Sequence, residues 1–442
     1  MLAGAMNAAQ AASLYEALAT AYNSNPTLEA ERANLRATDE GVPQILSEWR
    51  PTVLGTAQGG HEWDNLNKPI QRDLEGNPRS YGVTVQQPIF NGFHTVAGTS
   101  QAENLVQAGR ALLTSTEQVV LLNAVTAYMN VVRDASVLEL NRNNEKVLQA
   151  QLEATQARFD VGELTRTDVA QAEARLQGAV ASRIQSEGQL TASRAIYRQV
   201  VGEDPVDVDF PKEQPKLPSS RDESVVLSRG TPEVRSAEFQ ERAAKDDIDV
   251  QFSDMLPSVS IEGSYQRQED VGGTNSEEDV GSIIGQVTIP LYQAGEPDSR
   301  VRQAKQRYMQ TRRLTDEALR AAEQEAVNAW ANLETVIAQT RSFEEQVRAN
   351  EIALEGVRQE QEVGARTILD VLDAQQELLN AQVSLVSTRT DHVVAEYRLM
   401  ASGGFLTAQE LGLNVDYYDP TQHYNKVRNK FIGTGPSVEE GQ

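Results

Sequence analysis

Two stretches, Phe159–Ala179 (FDVGELTRTDVAQAEARLQGA) and Gln361–Ala381 (QEVGARTILDVLDAQQELLNA), agree at eight of twenty-one positions when offset by 202 residues. The shared residues are Val161/Val363, Gly162/Gly364, Thr165/Thr367, Asp168/Asp370, Val169/Val371, Ala172/Ala374, Leu176/Leu378 and Ala179/Ala381. The same offset pairs Pro88-Ile89-Phe90 with Pro290-Leu291-Tyr292, and Gly202 with Gly404. Upstream, an offset of 206 pairs Pro26 with Pro232 and Pro51 with Pro257. Agreement in order and spacing at four separate places marks one structural unit present twice.

Each copy reads alike. A helical stretch opens it, Pro26–Trp49 and then Pro232–Met255, and the next proline ends each helix. Short segments of period two follow: Thr52–Gly60 and Val83–Ile89, then Ser258–Gln266 and Ser282–Ile289. In Ser258–Gln266, Val259, Ile261, Gly263 and Tyr265 fall on one side, and serines, Glu262 and Gln266 on the other. That alternation predicts strands with one apolar and one polar face. The polar loops His61–Ser80 and Arg267–Gly281 join them as hairpins. Thr95–Arg158 and Ser299–Val363 are then free of proline, and each predicts a helix approaching ~100 Å at ~1.5 Å per residue. Both reverse at a Val-Gly turn and return as Thr167–Val201 and Ile368–Ala401. The second return carries a heptad, Leu372, Gln376, Leu379, Val383, Val386, Thr390, Val393 and Tyr397, the signature of a coiled-coil seam. Its first-copy counterpart carries Ala170, Ala174, Ala181, Gly188, Thr191 and Ala195, small enough for close helix approach.

The expected division is an N-terminal stub at 1–12, and a first repeat at 13–203 with a β-hairpin at 51–90 and a helical hairpin at 95–201. A linker at 204–220 precedes a second repeat at 221–412, with a β-hairpin at 257–291 and a helical hairpin at 299–401. A polar tail, 413–442, follows, and its Pro420–Gln442 part is polar enough to be mobile. The stub is small and apolar, and Ala9-Gln10-Ala11 fits the small-x-small pattern of an export-signal cleavage site. A plain alanine-rich helix start is the other reading.

Composition excludes several classes. With 40 basic and 64 acidic residues the formal net charge is −24, which argues against nucleic acid as a partner. No cysteine is present, and the four histidines, His61, His94, His392 and His423, nowhere adopt metal-ligand spacing. Thiolate, zinc and triad chemistry lack their residues, no cofactor motif occurs, and an enzyme is not expected. No run of 18 apolar residues occurs, so a helical span is excluded, whereas a membrane β-barrel is not.

Four strands cannot close a membrane barrel, and an open sheet in lipid strands its edge amides. If the strands cross a bilayer, several chains must share one barrel; three chains would supply twelve strands, while two would enclose little space. Trp63, Tyr81 and Tyr265 near the loop ends, with Phe90 and Tyr292 beside the prolines, sit where interfacial belts lie. A small soluble sheet with aromatic caps is the alternative from the strand pattern alone.

The residues Val363-Gly364-Ala365-Arg366-Thr367-Ile368-Leu369-Asp370-Val371-Leu372-Asp373-Ala374 resemble the second-repeat helical turn of the TolC family. Phe159-Asp160-Val161-Gly162 through Thr167-Asp168-Val169 resembles the first-repeat turn. Gln87-Pro88-Ile89-Phe90-Asn91-Gly92 and Ile289-Pro290-Leu291-Tyr292-Gln293-Ala294-Gly295 resemble its strand-to-helix corners. The resemblance covers Ser13 to about Leu413. It implies a mainly α chain with a small β part, whose long antiparallel coiled-coil hairpins form an α-barrel. Four strands per chain would enter a shared 12-stranded transmembrane β-barrel of a homotrimer. The implied function is an exit duct for type I protein secretion or multidrug efflux, in the outer membrane of a Gram-negative bacterium with a large periplasmic part. The implied partners are outer-membrane lipid, a periplasmic adaptor (membrane fusion) protein, and an inner-membrane ABC or proton-driven pump. A soluble periplasmic coiled-coil adaptor is the competing class, although this chain lacks the strand-rich domains adaptors insert between their helix halves.

The resemblance also assigns roles at the tips. Asp370 and Asp373 would form acidic rings in the pore; a macrodipole-complementing acid is the other reading of Asp370. Arg366 and Arg389 would tie neighbouring helices in the closed state, and Thr167 and Asp168 would be gate contacts, with capping as their plain alternative. Gly162 and Gly364 suit left-handed helix-ending turns and mark the tips where an adaptor docks. Gln361 stands where relatives carry a tyrosine, which removes one closing contact from the expectation.

Overall fold

The computed structural model describes residues 13–66, 72–212, 215–271 and 276–435. The stub at 1–12 and the end of the tail, 436–442, lie outside the described residues. The chain forms two compact units. One holds residues up to Arg32 with Ala111–Arg235 and Glu317–Tyr418; the other holds Ala33–Arg110, Ser236–Asp316 and the residues from Asp419. Each unit draws segments from both repeats.

The described residues open with a helix that periodicity did not reveal, α1 (Leu14–Ser24). Ser13 and Glu16 close a capping box over its first turn, and Leu14, Ala17, Leu18, Ala21 and Tyr22 are buried. The expected single helix from Pro26 to Trp49 is broken into α2 (Pro26–Asp39), α3 (Gly41–Leu46) and a 3₁₀ turn, Ser47–Trp49. Pro43 causes the break: it has no N–H for the carbonyl of Asp39, and its ring crowds that carbonyl. The second copy has no proline in this interval, and after the short α6 (Arg221–Ser228) its α7 (Pro232–Ser253) runs uninterrupted.

Three of the four strands are longer than the alternation alone indicates, and the first matches it to within one residue. β1 (Thr52–Gly59), β4 (Arg79–Asn91), β5 (Ser258–Glu269) and β6 (Glu277–Thr288) form one antiparallel sheet in the order β1-β4-β5-β6. A second ladder, β2 (Glu62–Leu66) on β3 (Arg72–Gly76), lies inside the stretch expected to be loop. The polar composition there hid it, because a hairpin hydrogen-bonded through its backbone needs no apolar face. The two repeats meet where β4 pairs with β5, in register from Arg79↔Glu269 to Asn91↔Ser258, with one irregularity between Pro88 and Phe90. Pro88 cannot donate to the ladder, and the register slips there.

Two 67-residue helices follow the two hairpins, α4 (His94–Asp160) and α8 (Glu296–Glu362). They return as α5 (Arg166–Val201) and α9 (Ile368–Ser402). α5 buries Ala172, Leu176, Ala179, Ser186, Leu190, Ser193, Tyr197 and Val201, and Leu176 and Ala179 meet Leu148 of α4. Asn141 donates to Ser186 Oγ at 2.8 Å across this seam, and the Tyr128 and Tyr197 rings lie 6.4 Å apart. α9 uses two faces. Leu378, Ala395 and Leu399 meet α8 through Leu354, Ala329 and Leu333, while Leu372 of the heptad joins Leu148, Leu176 and Ala179 of the first hairpin. Burial of such side chains contributes about 1.5–3 kcal/mol each. The small-residue face of α5, Ala170, Ala174, Ala181, Gly188, Thr191 and Ala195, is exposed and is not the seam used inside the chain.

The C-terminal segment departs from the mobile tail expected of it. Its polar side chains make specific bonds: α10 (Gln422–Val427) buries Val427, and His423 Nδ1 lies 3.2 Å from Asp39 Oδ2. Tyr424 donates to Glu103 at 3.1 Å. Polarity misleads where each polar group has a partner. The interval 204–212 is likewise held, with Tyr128 donating to the Asp209 carbonyl at 2.9 Å.

The corners between sheet and long helix use consecutive left-handed residues, Gly92 (φ 63°) with Phe93 (φ 67°) and Ala294 (φ 55°) with Gly295 (φ 80°). A Cβ on Gly92 would lie 2.6 Å from the Ser253 carbonyl oxygen, whereas one on Gly295 would meet nothing within 4 Å. Gly92→Ala therefore combines backbone strain with a clash and is expected to cost about 2–3 kcal/mol; Gly295→Ala carries the strain alone, about 1 kcal/mol. Thermal denaturation of the two purified variants in detergent is expected to separate them, and equal shifts would show that the Ser253 contact gives way freely.

Candidate functional site

The sheet has two chemically distinct faces. The pairs Val53↔Val85, Ala57↔Tyr81 and Val83↔Tyr265 place their side chains on one side, joined by Val259↔Val287 and by Ile261 and Ile283. The other side is mostly polar, with Thr52 and Gln86, Thr84 and Ser264, Ser260, Glu262 and Gln286, although Leu54, Val280 and Ile284 also lie on it. Every residue of β1 is exposed, and on β6 Ile283 stands 85% exposed. Both edge strands lack an outer partner among the described residues, because β1 and β6 terminate the sheet. An apolar face this open, on strands of 12 or 13 residues in β4, β5 and β6, is long enough for a tilted bilayer crossing. None of the described helices is long and apolar enough to cross a membrane.

The two hairpin tips are built alike. At the end of α4, the Gly162 amide donates to the Phe159 carbonyl (2.8 Å) and the Glu163 amide to the Arg158 carbonyl (2.9 Å). At the end of α8, Gly364 donates to Gln361 (3.0 Å) and Ala365 to Glu360 (2.8 Å). These are Schellman closures, and they place Gly162 at φ 85° and Gly364 at φ 78°. A capping box follows at once. Thr165 caps α5: its hydroxyl donates to Asp168 Oδ2 at 2.7 Å and accepts from the Asp168 amide at 3.3 Å. Thr367 caps α9 with Asp370 at the same two distances. The T-x-x-D spacing was the available signal for these caps. The threonine hydroxyl and the backbone amide hold both carboxyls below the usual range, and both acids are ionised at neutral pH.

All but Arg389 of the residues singled out from sequence fall around these caps. Arg366 is paired with Glu360 of its own hairpin at 2.9 Å and stands 4.0 Å from Asp370. Asp168 is engaged by Thr165, and Thr167 is exposed one residue into α5. Arg389 donates to Glu344 across the second hairpin at 2.8 Å. Asp373 is met by Arg175 of α5 at 2.5 Å, a bridge between the two returning helices that sequence spacing does not reveal. Val161 and Val363, beside the tip glycines, are 72% and 81% exposed. No cluster of His, Cys, Asp and Glu fit to hold a metal occurs among the described residues.

Comparison with known proteins fixes the family. Residues 17–203 and 227–404 match the outer membrane efflux protein family. The outer membrane efflux protein BepC of Brucella suis is 33% identical over 440 residues, covering 98% of this chain and 95% of that protein. The outer membrane protein TolC of Vibrio cholerae is 27% identical over 410 residues, covering 90% of this chain and 92% of TolC. The crystal structure of the Campylobacter jejuni CmeC outer membrane channel superposes with a TM-score of 0.80 at 17% identity, over 94% of this chain and 89% of that one, which establishes the shared fold. With the open apolar sheet, these matches set aside the soluble adaptor and the enzyme. The chain belongs to the TolC-like outer membrane efflux protein family, a channel protein of the outer membrane with a periplasmic helical domain.

Proposed function

We propose that three copies assemble head to tail into one duct that spans the outer membrane and continues as a helical tunnel. The observation that carries this reading is a pair of surfaces left unpaired by the same rule. Inside the chain, β4 of the first repeat pairs with β5 of the second. Applying the repeat once more pairs β6 of one copy with β1 of the next. Inside the chain the Leu372 face of α9 packs on the first hairpin, and the equivalent face of α5 is the exposed Ala170–Ala195 stripe. That stripe then receives the second repeat of a neighbour. A contact that repeats in one direction closes into a ring. Three copies of a four-stranded sheet give twelve strands, enough for an open lumen, where eight leave room for side chains only. The polar sheet face lines the lumen and the apolar face meets lipid.

The tips are the gate and the docking end. Gly162 and Gly364, with the exposed Val161 and Val363, form the surface for a periplasmic adaptor (membrane fusion) protein, behind which stands an inner-membrane ABC or proton-driven pump. The cargo is then a type I secretion substrate or a drug. Arg366, Arg389, Thr167 and Asp168 make the closing contacts. The bonds Arg366 and Arg389 make within the chain are solvent-exposed and weak, and exchange readily for contacts to a neighbouring chain. Asp370 and Asp373, repeated by symmetry, are the acidic rings, with Arg175 offsetting part of the Asp373 charge.

Light scattering of the purified protein in detergent is expected to give three times the 48.5 kDa chain mass. A detergent-free monomer would end the shared-barrel reading. In planar bilayers, Arg366→Ser is expected to raise single-channel conductance at least twofold while leaving both caps and the assembly intact, and adding Arg389→Glu should raise it further. Asp168→Ala is expected to act in the same direction. Wild-type conductance in all three would make these residues ordinary surface charges. Reversal potentials in a salt gradient are expected to show cation preference, since acidic constrictions concentrate cations. Asp370→Ala with Asp373→Ala should weaken that preference, and unchanged selectivity would place both acids away from the lumen.

A further inference from the structure

Between Asp419 and Glu439 the sequence contains no acid, although the chain holds 64 of them at a formal net charge of −24. That stretch carries Lys426, Arg428 and Lys430, followed at once by Phe431 and Ile432. Its placement is firmly set. His423 on Asp39, the buried Val427, and Tyr424 and Arg428 on Glu103 (both 3.1 Å) seat α10. Beyond α10 the chain reaches the foot of the sheet. Arg50, two residues before β1, donates to the Lys430 carbonyl oxygen at 2.7 Å, and its guanidinium carbon lies 4.1 Å from the Phe431 ring centroid. Past this clamp the apolar side chains are uncovered: Phe431 is 73% and Ile432 90% exposed.

The level of this segment follows from Arg50. β1 begins at the same end of the sheet where β4 finishes at Asn91 and β5 starts at Ser258. That end carries Phe90 and Tyr292 and leads into the long helices, so it is the periplasmic boundary of the bilayer. We propose that Phe431 and Ile432, flanked by Arg50 and Lys430, form a foot seated in the inner leaflet of the outer membrane. The two apolar side chains enter the headgroup–acyl boundary, and the two cations take the phosphates of anionic phospholipid. An apolar pair beside cations is the composition that interfacial segments use. The ammonium of Lys430 spends one donor on the Gly435 carbonyl at 3.1 Å, which leaves donors for a phosphate. A dry seam between two copies suits this surface less, because it would strip both cations of water. The foot rests on the reading that the sheet crosses the bilayer.

The absence of native cysteine allows single-site labelling of the full-length protein. A spin label on Ile432→Cys, and a control label on Ile283→Cys of the apolar sheet face, are compared in phosphatidylcholine vesicles with and without phosphatidylglycerol. Both labels are expected to collide with oxygen several-fold more often than with a water-soluble nickel chelate. At position 432 this ratio should rise with phosphatidylglycerol, and Lys430→Glu should abolish the rise. Free access of the nickel chelate to 432 while 283 stays in lipid would overturn the foot. So would a 432 label shielded from both agents, the result of a seam between copies. A ratio at 432 indifferent to phosphatidylglycerol would remove the phosphate contacts, and water-like access at both positions would remove the spanning sheet and the foot together.

Discussion

The outward-facing backbone amides and carbonyls of β1 and β6 have no strand partner among the described residues, and a hydrocarbon environment does not tolerate that. Each unpaired group buried in lipid costs several kcal/mol, so eight residues of open edge on β1 outweigh the stability of an ordinary domain. The sheet is therefore viable in a membrane only as part of a closed barrel. Everything else in the architecture is compatible with that demand. The strands join the helices through tight corners at Gly92 and Gly295, and the apolar face is continuous from Val53 to Val287. The sheet's stability is thus inseparable from assembly, and single-chain burial says little about it.

The duplication sets how the two halves differ as much as how they agree. Equivalent faces of α5 and α9 carry mostly alanine, glycine and threonine in one case, with Ile184 and Gln177 among them, and mostly leucine, valine and tyrosine in the other. The bulky face finds its partner inside the chain through Leu372. The small face does not. Unequal sizes at equivalent positions keep the two kinds of helix contact from being interchangeable, so a ring built on them has the chain, not the repeat, as its unit. Pro43 reinforces this, since only the first copy has a broken helix before its hairpin.

Much of this was legible in the sequence because long-period agreement and simple periodicity are robust signals. The Val-Gly turns, both long helices and the four sheet strands came from identities and alternation at named residues. What escaped depended on partners remote in sequence or on backbone alone. α1 is short and its apolar face is visible only once Leu14 and Leu18 are buried. The β2–β3 ladder is held by main-chain bonds that composition does not encode. α10 looked like a loose polar tail because the acids that seat it, Asp39 and Glu103, lie more than 300 residues away. At the tips, the glycines and the Asp168 and Asp370 caps could be read from spacing, whereas the Arg175–Asp373 bridge joins helices from different repeats at no recognisable interval.

The tip turns have a mechanical meaning. Between the last residue of α4 and the first of α5 the amides of Gly162 and Glu163 are committed to the Schellman closure and that of Thr165 to the cap. A turn pinned at both ends is a poor hinge. Motion of a hairpin end must therefore originate where its helices pack more loosely, and the returning helix behaves as a lever. For the 36 residues of α5, about 54 Å long, a tilt of about 5° at its base sweeps the tip through about 5 Å. Angular changes too small to disrupt the packing around Tyr197 are thereby magnified into displacements the size of a side chain at the far end.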